Sequence, residues 1–202
     1  MTYRFPLPIP TLVTDRLTLR APRESDFAAM LAFNDSARAG FVGGSAPRQQ
    51  VWRGLLANIG HWALRGYGFY SVDTRAGDFI GRIGVIFHDG WDEPELAWHL
   101  YDGHEGQGYA HEAALAARAD YHARITGQPP ISYIDVTNAR SEALAKRLGA
   151  TIERTLNDDD GHYHVYRHPA LDTGVARTGV SPRVETQGRR DEDAMKTSEK
   201  GD

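Results

Sequence analysis

Between residues 11 and 169 the spacing of apolar side chains switches back and forth between a period of two and a helical period, which confines the chain to a mixed α/β fold. The first stretch alternates, with Leu17 and Leu19 on one face and Arg16, Thr18 and Arg20 on the other, and Pro22 ends it. Ser25-Asp26 offers a helix N-cap before Phe27, Met30, Leu31 and Phe33 at helical spacing. A second helix is predicted over residues 47–64, with Val51, Leu55, Ile59 and Trp62 along one side. Strands over 69–72, 79–87 and 95–101 follow, punctuated by the turn signals Ala76-Gly77 and Asp89-Gly90. A long Ala-rich helix then runs from Gly106 to about residue 124, a β-branched strand covers 131–136, and a helix over 140–148 closes at Gly149. Strands 151–156 and 162–167 flank a hairpin tip, Asn157-Asp158-Asp159-Asp160-Gly161. The order β-α-α-β-β-β-α-β-α-β-β predicts about seven strands and four helices, with a partly antiparallel sheet.

The 202 residues fit one domain over 11–169, a short N-terminal extension over 1–10, and a polar tail over 170–202. Residues 171–202 hold no aromatic and mix seven acidic with six basic side chains, so they are expected to be disordered. With no cysteine, disulfides, thiolate metal sites and cysteine nucleophiles are excluded. A net charge of −4 gives no case for binding nucleic acid. No apolar run approaches the roughly 18–20 residues that span a bilayer, and the proline-rich start is unlike a signal peptide. These features predict a soluble cytoplasmic protein, monomer or homodimer, without nucleic-acid or membrane partners.

The stretch Leu100-Tyr101-Asp102-Gly103-His104-Glu105-Gly106-Gln107-Gly108-Tyr109-Ala110-His111-Glu112-Ala113 passes from a strand through a glycine-bearing loop into a helix. Gly106 and Gly108 allow a backbone to approach a ligand closely, and a helix start offers unpaired N–H groups with a partial positive charge. A pyrophosphate fits that chemistry; so does a plain tight turn. No Gly-Lys-Ser/Thr follows, so this is not a P-loop, and it comes too late and lacks the third glycine of a Rossmann fingerprint.

The loop resembles the acetyl-CoA loop of the GNAT N-acyltransferase superfamily, Arg/Gln-x-x-Gly-x-Gly/Ala, with Gly106 and Gly108 in both glycine positions. Other segments match in order. Thr14-Asp15-Arg16-Leu17-Thr18-Leu19-Arg20 is similar to the opening strand of the branch that includes the ribosomal-protein N-terminal acetyltransferases. Phe79-Ile80-Gly81-Arg82-Ile83-Gly84 is similar to its third strand, Glu95-Leu96-Ala97-Trp98 to its fourth, and Asn138-Ala139-Arg140-Ser141 with Leu148-Gly149-Ala150 to its late helix. The likeness spans about residues 11–168. It implies a mixed, mostly antiparallel twisted sheet whose fourth and fifth strands splay. The implied reaction is attack of a primary amine on the thioester of acetyl-CoA within a ternary complex.

By that resemblance, Gly106, Gln107, Gly108, Tyr109 and Ala110 would hold the pyrophosphate, Trp98, His99 and Leu100 would pair with the pantetheine, and Asn138 would bond its side. Ser141 would stabilise the leaving thiolate, because the tyrosine that relatives carry seven residues after the asparagine is here Ala145. Glu95 or His99, on one face of the strand, would take the proton of the amine. The sequence departs from the pattern at Gly103, which stands in the Arg/Gln position and removes one side-chain contact to the phosphates. Acetyl-CoA is then the co-substrate, with no metal, and the acceptor a protein N-terminus or a small-molecule amine.

Bland readings stand beside these. Ser141 could merely cap the helix, and Glu95 and His99 could be polar residues on a half-exposed face. His111-Glu112-Ala113-Ala114-Leu115 lacks the second histidine of a zincin. His162 and His164 share a strand face, which fits metal ligands but also exposed strand histidines or walls of the substrate site. Asp158-Asp159-Asp160-Gly161 lacks the other ligands of a calcium loop. Trp52, Trp62, Tyr67, Phe69 and Tyr70 read as core and as a wall of the acceptor cleft. Gly103 and Ala145 also motivate a rival class, a non-catalytic acyl-CoA sensor on the same fold, and the glycine loop alone permits an ATP-binding protein.

Overall fold

The computed structural model describes residues 9–158 and 161–170. The N-terminal extension up to residue 8, the hairpin tip at Asp159 and Asp160, and the polar tail from residue 171 lie outside the described residues.

Eight strands form one sheet: β1 Leu12–Val13, β2 Leu17–Arg20, β3 Phe69–Thr74, β4 Phe79–Ile86, β5 Glu95–Leu100, β6 Ile131–Asp135, β7 Thr151–Asp158 and β8 Gly161–Arg167. Their order is β1-β2-β3-β4-β5-β6-β8-β7, antiparallel throughout except for the parallel pair β5 and β6. The helices are α1 Phe27–Asn34, α2 Arg48–Arg65, α3 Tyr109–Arg124 and α4 Ala139–Arg147. The mixed sheet is as the periodicities predict, with one strand more. The opening stretch breaks into β1 and β2, a tight hairpin in which the Thr14 N–H donates to the Leu17 carbonyl at 3.0 Å.

α3 and α4 cover one face of the sheet. Ala113, Ala114, Ala116 and Ala117 are buried against Leu17, Leu19, Val72, Ile83, Val85 and Leu96, so the small side chains of α3 let it lie close to the strands. α1 and the first half of α2 lie on the opposite face, where Met30 and Leu55 bury Tyr101 with Phe33, Trp52 and Phe79. Past the end of β2, the edge of β3 is closed by α2. Asn58 exchanges two hydrogen bonds with the Phe69 backbone at 2.9 and 3.0 Å, and the Trp62 indole donates to the same carbonyl at 2.9 Å.

Two local features differ from the sequence prediction. Asp26 does not cap α1 with its side chain. Its carboxylate accepts the Arg23 N–H at 2.9 Å, the Ser71 hydroxyl at 2.6 Å and the Arg20 guanidinium at 2.8 Å, while Asp73 takes the other edge of Arg20 at 2.5 Å. Burial favours the neutral acid, but the hydrogen bonds from Arg20, Ser71 and Arg23 outweigh it and hold the Asp26 carboxyl below its usual range. Between α1 and α2 there is also a 3-10 helix, Ala37–Val42, with the Ser36 hydroxyl accepting from the Arg38 N–H at 3.3 Å. The β3–β4 register shifts between Val72 and Asp73, and opposite it Gly81 adopts φ 155, where an added Cβ would sit 2.2 Å from the His99 carbonyl oxygen. Only glycine permits that approach of β4 to β5. Among the described residues no helix is long and apolar enough to cross a membrane.

Candidate active site

β5 and β6 meet at a single register pair, Glu95 opposite Ile131, where the Ile131 N–H donates to the Pro94 carbonyl at 3.0 Å. Beyond it, side chains take the places of ladder bonds. The Ser132 hydroxyl donates to the Leu96 carbonyl at 2.5 Å, and the Tyr133 N–H donates to the Glu95 carboxylate at 3.2 Å. The two strands then part as a fork. In an antiparallel pair each residue turns both backbone polar groups to one side, alternating along the strand. Tyr101 donates its N–H to Ile80 of β4 at 2.8 Å, so His99 and Ala97 face β4, while Trp98 and Leu100 turn their polar groups into the gap. His99, expected to offer backbone groups beside Trp98 and Leu100, uses them in the β4 ladder instead.

The branch point of the fork is fixed from behind. Ser132 gives its only hydrogen to Leu96, so the His168 Nε2, 2.9 Å away, donates to the serine oxygen. His168 Nδ1 then accepts from Arg118 at 3.2 Å, and Arg118 also donates to the Leu148 carbonyl at 2.7 Å. Burial first, and the Arg118 charge second, push the His168 pKa down to about 3, so the ring is neutral in this chain of bonds. None of Arg118, Ser132 and His168 stands out in the sequence. Their joint role depends on elements up to 50 residues apart.

Glu95 sits in the crotch of the fork. Burial raises its pKa to about 8, opposed only in part by the Tyr133 hydrogen bond. His99 differs. Arg82 donates Nε–H to its Nδ1 at 2.8 Å, and the ring packs against Phe33 and Phe69 at centroid distances of 5.8 and 5.1 Å. Burial and the Arg82 charge hold its pKa well below the ordinary value. With Nδ1 accepting from Arg82, the hydrogen of the neutral ring lies on Nε2, and no lone pair is left to take a proton from an amine.

Gly103, Gly106 and Gly108 have φ values of 86, 72 and 80. The left-handed backbone at Gly103 would strain any residue with a Cβ, an arginine or glutamine included. Gly108 is the N-cap of α3, and the first intrahelical bond runs from the Glu112 N–H to its carbonyl at 3.1 Å, so the N–H groups of Tyr109, Ala110 and His111 have no helical partner. Arg16 fixes the loop from the side. It donates to the Gln107 carbonyl at 2.7 Å, lies over the Tyr109 ring at 4.8 Å and pairs with Glu112 at 2.7 Å. In the sequence Arg16 reads only as one of the polar residues opposite Leu17 and Leu19, and the structure places it in the turn between β1 and β2. A groove of about 530 Å³, lined by Arg16, Arg75, Gly103, His104, Gln107 and Tyr109, adjoins it. Glu112 is thus engaged, and among the described residues no group of three or more potential metal ligands occurs.

At the start of α4 the capping residue is Asn138, whose Oδ1 accepts the Ser141 N–H at 3.1 Å. The Ser141 hydroxyl does not cap. Its oxygen accepts the Trp98 indole N–H at 3.1 Å, and its own hydrogen has no acceptor among the described residues. Ala145 is fully buried with Ile134, Ala150 and Tyr166, a space with no room for a tyrosine.

A forked, mostly antiparallel sheet with a glycine turn and a bare helix N-terminus beside the fork defines an acyltransferase class of fold. The family model of the acetyltransferase (GNAT) domain matches residues 16–151, and the chain belongs to the GNAT acetyltransferase family. It is an acyltransferase. An acetyltransferase from Agrobacterium tumefaciens is 36% identical, with 84% of this chain and 99% of that one covered and a TM-score of 0.75. Two more distant structures share the fold. The Salmonella typhimurium acetyltransferase that modifies the N-terminal serine of ribosomal protein L7/L12 is 20% identical over 76% of this chain and 92% of that one, with TM-score 0.62. The microcin C7 self-immunity acetyltransferase, in complex with acetyl-CoA and AMP, is 15% identical over 76% and 92%, with TM-score 0.61. Among curated proteins no sequence matches significantly.

Proposed function

We propose that the chain moves an acetyl group from acetyl-CoA to a primary amine by direct attack in a ternary complex. The observation that carries this reading is the fork, which leaves the polar backbone of Trp98 and Leu100 without a strand partner among the described residues, in the gap beside Glu95 and Ser141. Extended amide groups of a pantetheine arm fit such an open strand edge, with the Asn138 amide beside it. The free N–H groups at the start of α3 fit a pyrophosphate. Structures of the microcin immunity enzyme with acetyl-CoA, and of a ribosomal L7/L12 acetyltransferase with CoA, support this co-substrate.

In the reaction the amine nitrogen attacks the thioester carbon, the carbon–sulfur bond breaks, and one proton moves from nitrogen to sulfur. Glu95, as carboxylate, takes that proton. The Ser141 hydroxyl, oriented by the Trp98 indole, donates a hydrogen bond to the departing thiolate until the proton reaches it. The acceptor is an amine of a protein N-terminus or a small molecule. The test is thermal unfolding of the full chain with acetyl-CoA and, as control, ATP, followed by thiol release with a panel of amines. A ligand at 100 times its Kd adds about 2.7 kcal/mol, or about 5–10 °C in Tm. A shift with acetyl-CoA alone and thiol release with an amine are the expected results. A shift without turnover for any amine is what a non-catalytic acyl-CoA sensor predicts, and no shift removes the co-substrate.

A further inference from the structure

The face of the sheet that carries Glu95 also carries a cation with no anion. Arg82, half-buried in mid-β4, forms no ion pair among the described residues. Its Nε–H goes to the neutral His99, and its guanidinium carbon lies 4.9 Å from the Phe69 ring centre. The two terminal amino groups have no acceptor among the described residues. By contrast Arg20, on the same face, is bonded by both Asp26 and Asp73. Those two carboxylates are committed there and do not serve Arg82. Burial lowers the pKa of Arg82, as expected for a cation that has lost water without gaining a counter-ion, yet a guanidinium this basic stays charged. Next to it the buried Tyr101 hydroxyl also lacks a partner among the described residues. The wall around both is aromatic, with Phe33 packed on His99 and on Tyr101.

Leaving a partly desolvated guanidinium unpaired is costly, and a planar fork of free N–H groups fits a carboxylate in two-point contact. The register fixes how far this anion site lies from the proposed base. Arg82 stands opposite His99, and Ile86 opposite Glu95, so the two side chains rise from the same face four residues apart along β5. At about 3.4 Å per residue along the strand and about 4.8 Å across to β4, that is roughly 14 Å between backbone positions, and for side chains rising in parallel a hydrogen bond of about 2.9 Å at each end leaves on the order of 8–10 Å between the two ligand groups. We infer that the acceptor amine carries a carboxylate about 8–10 Å from its nitrogen, and that Arg82 binds it. The inference rests on the acetyl-transfer reading for the place of the amine. In an extended peptide the distance corresponds to an acidic side chain on the third residue, or to the terminal carboxylate of a tripeptide.

The experiment uses four peptides with a free amine: Ser-Ala-Glu-Ala amide, Ser-Ala-Gln-Ala amide, and Ser-Ala-Ala with a free or an amidated C-terminus. Thiol release from acetyl-CoA is followed for the wild type, Arg82→Gln and Arg82→Lys. A charge-assisted pair predicts that the acidic member of one pair has kcat/KM about 10–100-fold above its neutral partner, mainly through KM. Which pair shows it distinguishes the side-chain from the terminal carboxylate. Arg82→Gln brings the ratio to near one, and Arg82→Lys restores part of it. Equal kcat/KM within both pairs for the wild type, or an unchanged ratio in Arg82→Gln, overturns the inference. If none of the four peptides is acetylated, transfer to another amine still stands, and the anion site is read from unfolding instead. An acidic peptide should raise the Tm of the wild type and not that of Arg82→Gln, and equal shifts for acidic and neutral peptides overturn the site.

Discussion

Glu95→Gln isolates the proposed base, because glutamine keeps the shape of the side chain and can still accept the Tyr133 N–H that closes the fork at 3.2 Å. The size of its effect follows from burial. With a pKa of about 8 instead of the ordinary 4.5, the carboxyl is about one-tenth ionised at pH 7, so the wild type should run there at about a tenth of its alkaline plateau. Removing a positioned base costs about 10²–10⁴-fold. The variant should therefore lose that factor in kcat at pH 9 and about tenfold less at pH 7. Its profile should lose the limb near pH 8, leaving only the titration of the amine itself. Stability supplies an independent check. A carboxyl whose folded pKa is raised binds its proton more tightly in the folded state, so its contribution is full below pH 4.5 and is lost as pH rises through 8. Glu95→Gln should match the wild type in Tm near pH 4 and exceed it at pH 9. Initial rates of thiol release and thermal unfolding across that range measure both. A variant with wild-type kcat and an unchanged profile would refute Glu95 as the base.

Two further outcomes follow from the same geometry. Ser141→Ala removes the hydroxyl offered to the thiolate but leaves the Asn138 cap on the Ser141 N–H, so kcat should fall about 10–100-fold with little change in the Kd for CoA, read by steady-state rates beside calorimetric titration. Asp26→Ala strips the buried Arg20 of one of its two carboxylates and should lower stability by about 3–5 kcal/mol, a fall in Tm of roughly 6–20 °C; a change below 1 kcal/mol would show that Asp73 alone suffices.

Local pattern made much of this fold legible. The strands, the four helices and the glycine turn into α3 follow from spacing and turn residues within windows of 10–20 residues, where the physics is local. What escaped the sequence depends on distant partners. Asp26 has the residue type and position of an N-cap, yet a buried arginine 6 residues back and a serine 45 residues on claim it, and their charge-assisted bonds outcompete a cap. The 3-10 helix over Ala37–Val42 carries no apolar period to read. At the site, Glu95 and Ser141 were readable as candidates, but not their states. The hydrogen bond from Trp98 to Ser141 spans 43 residues, and the one that removes His99 as a base spans 17. Arg82 left a visible trace, a charge inside an apolar strand, whose meaning required knowing which acids lay nearby.

The fork shows how one stretch can carry both fold and chemistry. Parting two parallel strands leaves backbone groups unpaired, and each buried orphan costs about 1–3 kcal/mol. Here the two nearest the branch point are satisfied by side chains, the Leu96 carbonyl by Ser132 and the Tyr133 N–H by Glu95. Neither bond is lost when the proton that acetyl transfer would move comes or goes. Ser132 is held by a histidine kept neutral down to about pH 3, and a glutamic acid accepts an N–H through its carbonyl oxygen whether ionised or not. Glu95 can therefore exchange a proton with a substrate amine while the branch point it closes keeps its hydrogen bonds. The farther backbone groups, on Trp98 and Leu100, have no side chain to satisfy them among the described residues, and the gap beside them is where a ligand with its own amides gains the most from binding.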